Sequence, residues 1–311
     1  MKNNTVVIAS DMNYVWGAFL LVASMRRCGM DEPVLVYASK FTDAAKAALN
    51  GLGGVTIVDA PEKRRSQTCT KPEAMLLADT DYMTWVDCDG FFTGNCSDLL
   101  IPDHPGEFHI RIRGKAENAL VYPGFGGNIP QEILDQWQKD VGERTEPRLT
   151  TSCSPGVVSI EKSNRPFLER WRDQMYRVIP EGDTGVTDYR SKAYFHTDES
   201  VLTSLLSFME NPPPVTATYH MDKDPDRLYV HFGYNPKPWN GWAPQSLRHF
   251  DGYMEVIDYV LDNHLKMPGP LPFFLRKENK SWCRILRVPL MAAWKLKRLR
   301  KRLSAKFGGK K

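Results

Sequence analysis

Three short β-prone runs alternate with two helical stretches in the first sixty residues, and that order leaves few folds open. Thr5-Val6-Val7-Ile8-Ala9 reads as a strand, Ser10–Tyr14 as a polar turn and Val15–Cys28 as a helix. Val34–Tyr37 reads as a second strand, Thr42–Leu52 as a helix with Thr42 as its N-cap, and Val55–Val58 as a third strand. A β-α-β-α-β order implies a mostly parallel sheet with helices on its faces. A helix near Pro72–Ala78 then leads to the apolar run Tyr82-Met83-Thr84-Trp85-Val86, which stops abruptly at Asp87-Cys88-Asp89. Ligands of such sheets bind beyond the carboxyl ends of the strands, where Asp11, Asp87 and Asp89 all fall.

Side chains at i and i+2 on an extended chain point the same way, so Asp87 and Asp89 can converge on one cation. Oxygen ligation of that kind suits Mg²⁺ or Mn²⁺ shared with a substrate's phosphates. The competing reading is a strand end followed by an Asp89-Gly90 turn. Further along, residues 105–150 are rich in Gly, Pro and charge and read as a long excursion from the sheet. Val157–Ile160 reads as a strand, Arg165–Tyr176 and Asp198–Phe208 as helices, and Tyr229–Phe232 as a short strand entering a Gly/Pro/Trp-rich loop.

Four segments, taken in order, resemble glycosyltransferases of family 8, which are nucleotide-sugar-dependent enzymes with the GT-A fold. Ala9-Ser10-Asp11-Met12-Asn13-Tyr14 is similar to the family's A-x-D-x-N-Y loop, and Asp87-Cys88-Asp89 to its metal-binding D-x-D. Ser154-Pro155-Gly156-Val157-Val158 stands in the place of the N-[AS]-G-V strand that lines the sugar and acceptor pocket. His231 to Trp239 resembles the H-x-x-G-x-x-K-P-W closing loop.

The resemblance implies Asp87, Asp89 and His231 as ligands of Mn²⁺ or Mg²⁺, with Lys237 reaching the phosphates. It implies Asp11 at the base or ribose, Ala9 and Asn13 along the same slot, Cys88 and Gly233 among the nucleotide-sugar contacts, and Lys71 near the diphosphate or sugar. Ser154, Gly156 and Trp239 fall to the sugar and acceptor pocket. The chain departs from the pattern at Ser154, where asparagine is usual, and at Tyr234, where the loop usually has glycine.

His196-Thr197-Asp198-Glu199 resembles the family's D-Q-D segment, in which an acid contacts the donor sugar and the next residue lies beneath the anomeric carbon. Asp198 matches the acid, and Glu199 replaces the usual glutamine. A carboxylate there can act as nucleophile or stabilise an oxocarbenium ion, giving retention, or serve as general base, giving inversion. The bland alternative is two acids in the first turn of a helix, favoured by its dipole.

Charge divides the chain sharply. Residues 276–311 hold 14 of the 41 Lys and Arg and one acid, Glu278, a tail near +13. The rest has 27 basic against 36 acidic residues, a body near −9 that is no nucleic-acid binder. Ile285, Ala292, Leu296, Leu299, Leu303 and Phe307 recur at mostly helical spacing among the basic residues, with Trp282 and Trp294 beside them. This is the pattern of a helix lying on an anionic membrane surface. Met267–Pro272 reads as a hinge, and Pro289 predicts two short helices rather than one. Six cysteines without metal spacing predict free thiols, and the lack of a leader pattern or an apolar span predicts a cytoplasmic protein held at the inner face of a membrane.

The expectation is therefore an α/β GT-A domain over 1–265 and a hinge with a basic amphipathic tail over 266–311. It would be a hexosyltransferase moving glucose or galactose from a UDP-sugar to a saccharide or glycolipid acceptor. Two rivals remain open from sequence. A haloacid-dehalogenase-like phosphatase would use Asp87 and Asp89 with a loop between Asp183 and Asp188, and a non-catalytic sugar-nucleotide module would use neither carboxylate chemically.

Overall fold

The computed structural model describes residues 3–61, 66–182, 192–217 and 228–307, without the side chains of 298 and 301–307. The strands are β1 (Asn4–Asp11), β2 (Val34–Ser39), β3 (Val55–Asp59), β4 (Tyr82–Val86), β5 (Gly90–Phe92), β6 (Phe108–Ile112), β7 (Cys153–Glu161), β8 (Val215–Ala217) and β9 (Tyr229–His231). The helices are α1 (Val15–Arg27), α2 (Asp43–Asn50), α3 (Lys71–Met75), α4 (Lys115–Val121), α5 (Gln131–Val141), α6 (Arg165–Val178), α7 (Asp198–Phe208), α8 (Phe250–Asp262) and α9 (Lys280–Phe307). The fold class is α/β with a mostly parallel sheet, as the opening order of elements predicts. Residues 1–9, 61–86 and 97–220 form one compact unit, and residues 10–60, 87–96 and 221–311 a second.

In the first unit the strand order is β1-β4-β7-β6-β8. β4 lies parallel to β1, with Thr84 opposite Val6, and β7 runs antiparallel to β4, with Val158 opposite Trp85. Val6, Val7, Ile8, Met83, Val86, Ile110, Val158 and Ile160 have no exposed surface, so these strands carry the core. Helix α7 is buried along its whole length. Its hydroxyls are absorbed by its own backbone, Thr203 donating to the Glu199 carbonyl at 2.7 Å and Ser207 to Thr203 at 2.7 Å.

Residues 105–150 leave the sheet only after residue 112. β6 lies within the sheet, antiparallel to β7 and parallel to β8. Phe108 and Ile110 point into the core on alternate positions, but the register shifts between Ile110 and Arg111, which breaks the period-2 signal after three residues. Strand β7 also begins earlier than expected, at Cys153.

In the second unit β2 and β3 pair in parallel, Val36 opposite Ile57. Thr42 is the N-cap of α2 as predicted, its hydroxyl accepting the Ala45 N–H at 3.2 Å. Three residues of β5 pair antiparallel with β9, Gly90 opposite His231 and Phe92 opposite Tyr229. Beneath this ribbon Phe91, Phe232, Trp242 and Tyr253 of α8 pack ring to ring, with centroids 5.0–5.9 Å apart.

The tail differs from expectation. α9 is one helix that runs through Pro289. The proline removes an N–H that would pair with the Ile285 carbonyl, but both residues lie on the solvent side, where water can satisfy that oxygen. No helix among the described residues is long and apolar enough to cross a membrane. The six cysteines are free thiols.

Candidate functional site

Chain order gives Asp87 and Asp89 their place directly after β4, and the β5–β9 ribbon brings His231 to them. Gly90 opens β5 because a side chain there would collide with the Tyr229 hydroxyl and the Val230 carbonyl, each 2.5 Å from a built Cβ. That close approach sets His231 Nε2 3.0 Å from Asp89 Oδ1 and 3.7 Å from Asp87 Oδ2. Tyr229 donates its hydroxyl to the Asp87 carbonyl at 2.7 Å, and the Phe232 N–H bonds the Asp89 carbonyl at 2.7 Å. Ligand atoms of Asp87, Asp89 and His231 all lie within 4.8 Å of one another, and the three residues are half-buried.

Lys237 is folded into the same cluster. Its ammonium contacts Asp89 Oδ2 at 2.6 Å and donates to the Phe232 carbonyl at 2.6 Å, and the residue is 6% exposed. Burial works to raise the Asp89 carboxyl, but Lys237 and His231 outweigh it and hold the group far below the usual carboxylate range. Burial works to lower the His231 ring, but Asp89 and Asp87 leave it above its ordinary value.

The loop before α1 belongs to this unit too. The Asp11 carboxylate accepts the Asn13 and Tyr14 N–H groups at 2.9 and 3.2 Å and the Asn13 side-chain amide at 2.9 Å. It thus fixes its own turn at the entry to α1. The buried Trp239 donates to the Asn13 carbonyl at 2.8 Å and meets Tyr14 edge-on at 5.6 Å. Cys88 is buried, and Gly233 is exposed beside His231.

The remaining predicted residues lie in the first unit, Ala9 half-buried where that unit's β1 segment ends. Ser154 and Gly156 are half-buried on β7, Ser154 opposite Arg111. Lys71 is 3% exposed. Its ammonium pairs with Asp198 at 3.0 Å, donates to the Pro155 carbonyl at 2.7 Å and lies 5.3 Å from the Trp85 ring. Lys71 therefore ties the start of α7 to β7.

Glu199 is gripped by a residue that the sequence reading missed. Arg113, just past β6, contacts Glu199 Oε1 through Nη1 at 2.6 Å and Oε2 through Nη2 at 2.7 Å. His196 Nδ1 adds a contact to Oε1 at 2.9 Å. Burial acts to raise the Glu199 carboxyl, but Arg113 and His196 bring it down to about 2. Thr197, which precedes this pair of acids, holds φ at +41°, a conformation a β-branched residue adopts only when its surroundings impose it. Its hydroxyl bonds Thr68 at 2.7 Å and Asp198 at 3.1 Å, which supplies that constraint.

The phosphatase loop between Asp183 and Asp188 lies outside the described residues. No protein-family model matches the chain, and no curated protein matches it. Solved structures do. The chain is similar to the apo structure of the bifunctional glycosyltransferase WbbM, at 16% identity and a TM-score of 0.55, over 82% of this chain and 50% of that one. It is similar to the galactosyltransferase LgtC in complex with donor and acceptor sugar analogs, at 15% identity and 0.50, over 89% and 99%. It is also similar to the glycosyltransferase GlyE of Streptococcus pneumoniae TIGR4, at 12% identity and 0.51, over 87% and 66%. The chain thus spans half the length of the WbbM structure. These likenesses show the fold, which is the GT-A glycosyltransferase fold.

Proposed function

We propose that this chain is a metal-dependent glycosyltransferase that moves a hexose, glucose or galactose, from a UDP-sugar to a saccharide or glycolipid acceptor. The observation that carries the reading is the cluster of Asp87, Asp89 and His231 within 4.8 Å on a GT-A fold. The donor set fits a divalent ion. Two carboxylates and one imidazole nitrogen suit Mn²⁺ better than Mg²⁺, which prefers oxygen ligands throughout. Such an ion supplies electrostatic stabilisation of the leaving diphosphate.

The chain's own residues do the rest. Lys237, already drawn into the cluster by Asp89, is the cation that follows the developing phosphate charge. Asp198, held by Lys71, is assigned by the resemblance to the donor sugar. Glu199 at about 2 is a poor proton acceptor at neutral pH, which disfavours the general-base route. An immobilised carboxylate suits stabilisation of an oxocarbenium ion, so we assign retention.

We further propose that α9 holds the protein peripherally at the cytoplasmic face of an anionic membrane. Trp282, Ile285, Val288, Leu296 and Leu299 are 50–63% exposed among basic residues. Sedimentation with anionic but not zwitterionic vesicles is the expected result, and equal recovery in both would end that part of the reading.

The main test is a screen of nucleotide sugars for Mn²⁺-dependent hydrolysis, with product anomers read by NMR. The expected result is turnover of UDP-glucose or UDP-galactose with the α-anomer formed first. Turnover of phosphomonoesters would replace the reading with a phosphatase, and no turnover of either would leave a binding module.

A further inference from the structure

The Pro-rich stretch before the tail suggests a detachable anchor, yet the segment that follows it is built into the second unit. The turn at Phe273–Leu275 packs against the turn at Pro238–Asn240, which carries Trp239 and follows Lys237 directly. Leu275 has no exposed surface, and the Phe274 carbonyl accepts the Trp242 indole N–H at 2.9 Å and the Cys283 thiol at 3.8 Å. Lys277 and Lys280 pair with Asp258 and Asp251 of α8 at 2.8 and 2.5 Å.

About two turns beyond Cys283 along α9, Leu290 closes on the same loop. Its Cδ1 lies 2.6 Å from a Cβ built on Gly241, and Pro236 Cγ lies 3.4 Å from that point. Gly241 has φ +125°, a backbone that only glycine adopts freely, so the residue after Trp239-Asn240 is constrained both by its conformation and by Leu290. From Gly241 the turn leads back through the Asn240 N–H to the Lys237 carbonyl at 2.9 Å. Trp242 packs on Phe232, next to His231. Beyond Leu290 the contacts fade. Ala292, Ala293, Lys295, Leu296 and Leu299 are exposed.

We propose that α9 is divided by function at Leu290: residues 273–290 brace the 232–241 loop on the face that carries Cys283 and Leu290, with Leu290 as a positioning residue for His231 and Lys237, and the exposed Leu296 and Leu299 beyond it take no part in the brace. This rests on the metal reading of the site for its effect on affinity, while the brace itself is a statement about the loop. A helix fixed in this way would hold the second unit directly, with no flexible spacer, to anything its distal half binds.

The test compares full-length variants on one helix: Leu290→Asp, Leu290→Ala and Leu290→Met against Leu296→Asp. Two readouts are followed, Mn²⁺ affinity by electron paramagnetic resonance and amide exchange over residues 229–241, with residues 34–59 as an internal control. Leu290→Asp should weaken Mn²⁺ about tenfold or more and speed exchange in 229–241. Leu290→Ala should do so to a smaller degree, while Leu290→Met and Leu296→Asp match the parent. If Leu290→Asp also loosens 34–59, Leu290→Ala decides. Parent-like exchange in 229–241 for Leu290→Ala and Leu290→Asp overturns the brace, as does an equal effect of Leu296→Asp. Should the parent fail to bind Mn²⁺, the metal reading falls and the exchange comparison still decides the brace.

Discussion

Asp87 and Asp89 are half-buried, with one lysine on Asp89, whereas Asp198 and Glu199 are at most 8% exposed and each has its own cation. Both clusters contain two carboxylates and a neighbouring histidine. In the first unit the charges balance, with Lys71 on Asp198 and a two-pronged Arg113 on Glu199. Such pairs are costly to break because removing one partner strands a buried charge. In the second unit the two carboxylates and His231 are only half-buried, and their ligand atoms lie within 4.8 Å of one another. The difference separates a framework that holds acids in place from a cluster with the spacing of an ion site.

The comparison can be broken at its open end first. Asp87→Asn should lower Mn²⁺-dependent UDP-sugar hydrolysis by about 10²–10³-fold, with thermal stability almost unchanged, because Asp87 is half-buried. Steady-state kinetics beside a melting curve checks both. The closed cluster should behave in the opposite way. Arg113→Gln should cost about 3 kcal/mol of stability, and Arg113→Gln with Glu199→Gln should recover much of it, as read by urea unfolding.

The pH dependence follows from the same pair. Glu199 lies at about 2 against an ordinary 4.5, a depressed value. Its stabilising contribution is therefore whole above pH 4.5 and is lost as the pH falls through about 2. That acid-side loss should be absent from the double variant. His231→Ala should reduce Mn²⁺ affinity about tenfold, and retained affinity would return the two aspartates to being a strand end. Thr42→Ala, far from either cluster in role, should cost about 1 kcal/mol and leave Mn²⁺ affinity alone.

The open cluster was readable in sequence because its residues carry local patterns. An apolar run ending in two acids places Asp87 and Asp89, and the spacing from His231 to Lys237 marks the loop. The closed cluster was only half readable. Asp198 and Glu199 were visible at a helix start, but the partner Arg113 is 86 residues away and follows a strand hidden by its own register shift. Lys71 stands near the place of a basic residue of the resembled family, yet nothing local reveals that it is buried on Pro155 and Asp198. Strand β5, three residues long, is too short to announce itself by pattern, although it is what carries Asp89 to His231. Pro289 misled because helix continuity there depends on solvent access to one carbonyl, which sequence does not display.

The central claim is that the Asp87–Asp89–His231 cluster binds a divalent ion that in turn holds a nucleoside diphosphate. Titration calorimetry of UDP into the full-length protein, with Mn²⁺ and then with a chelator, tests it most directly. The account predicts saturable UDP binding with Mn²⁺ that is lost in the chelator. UDP binding of equal strength in both conditions would contradict it.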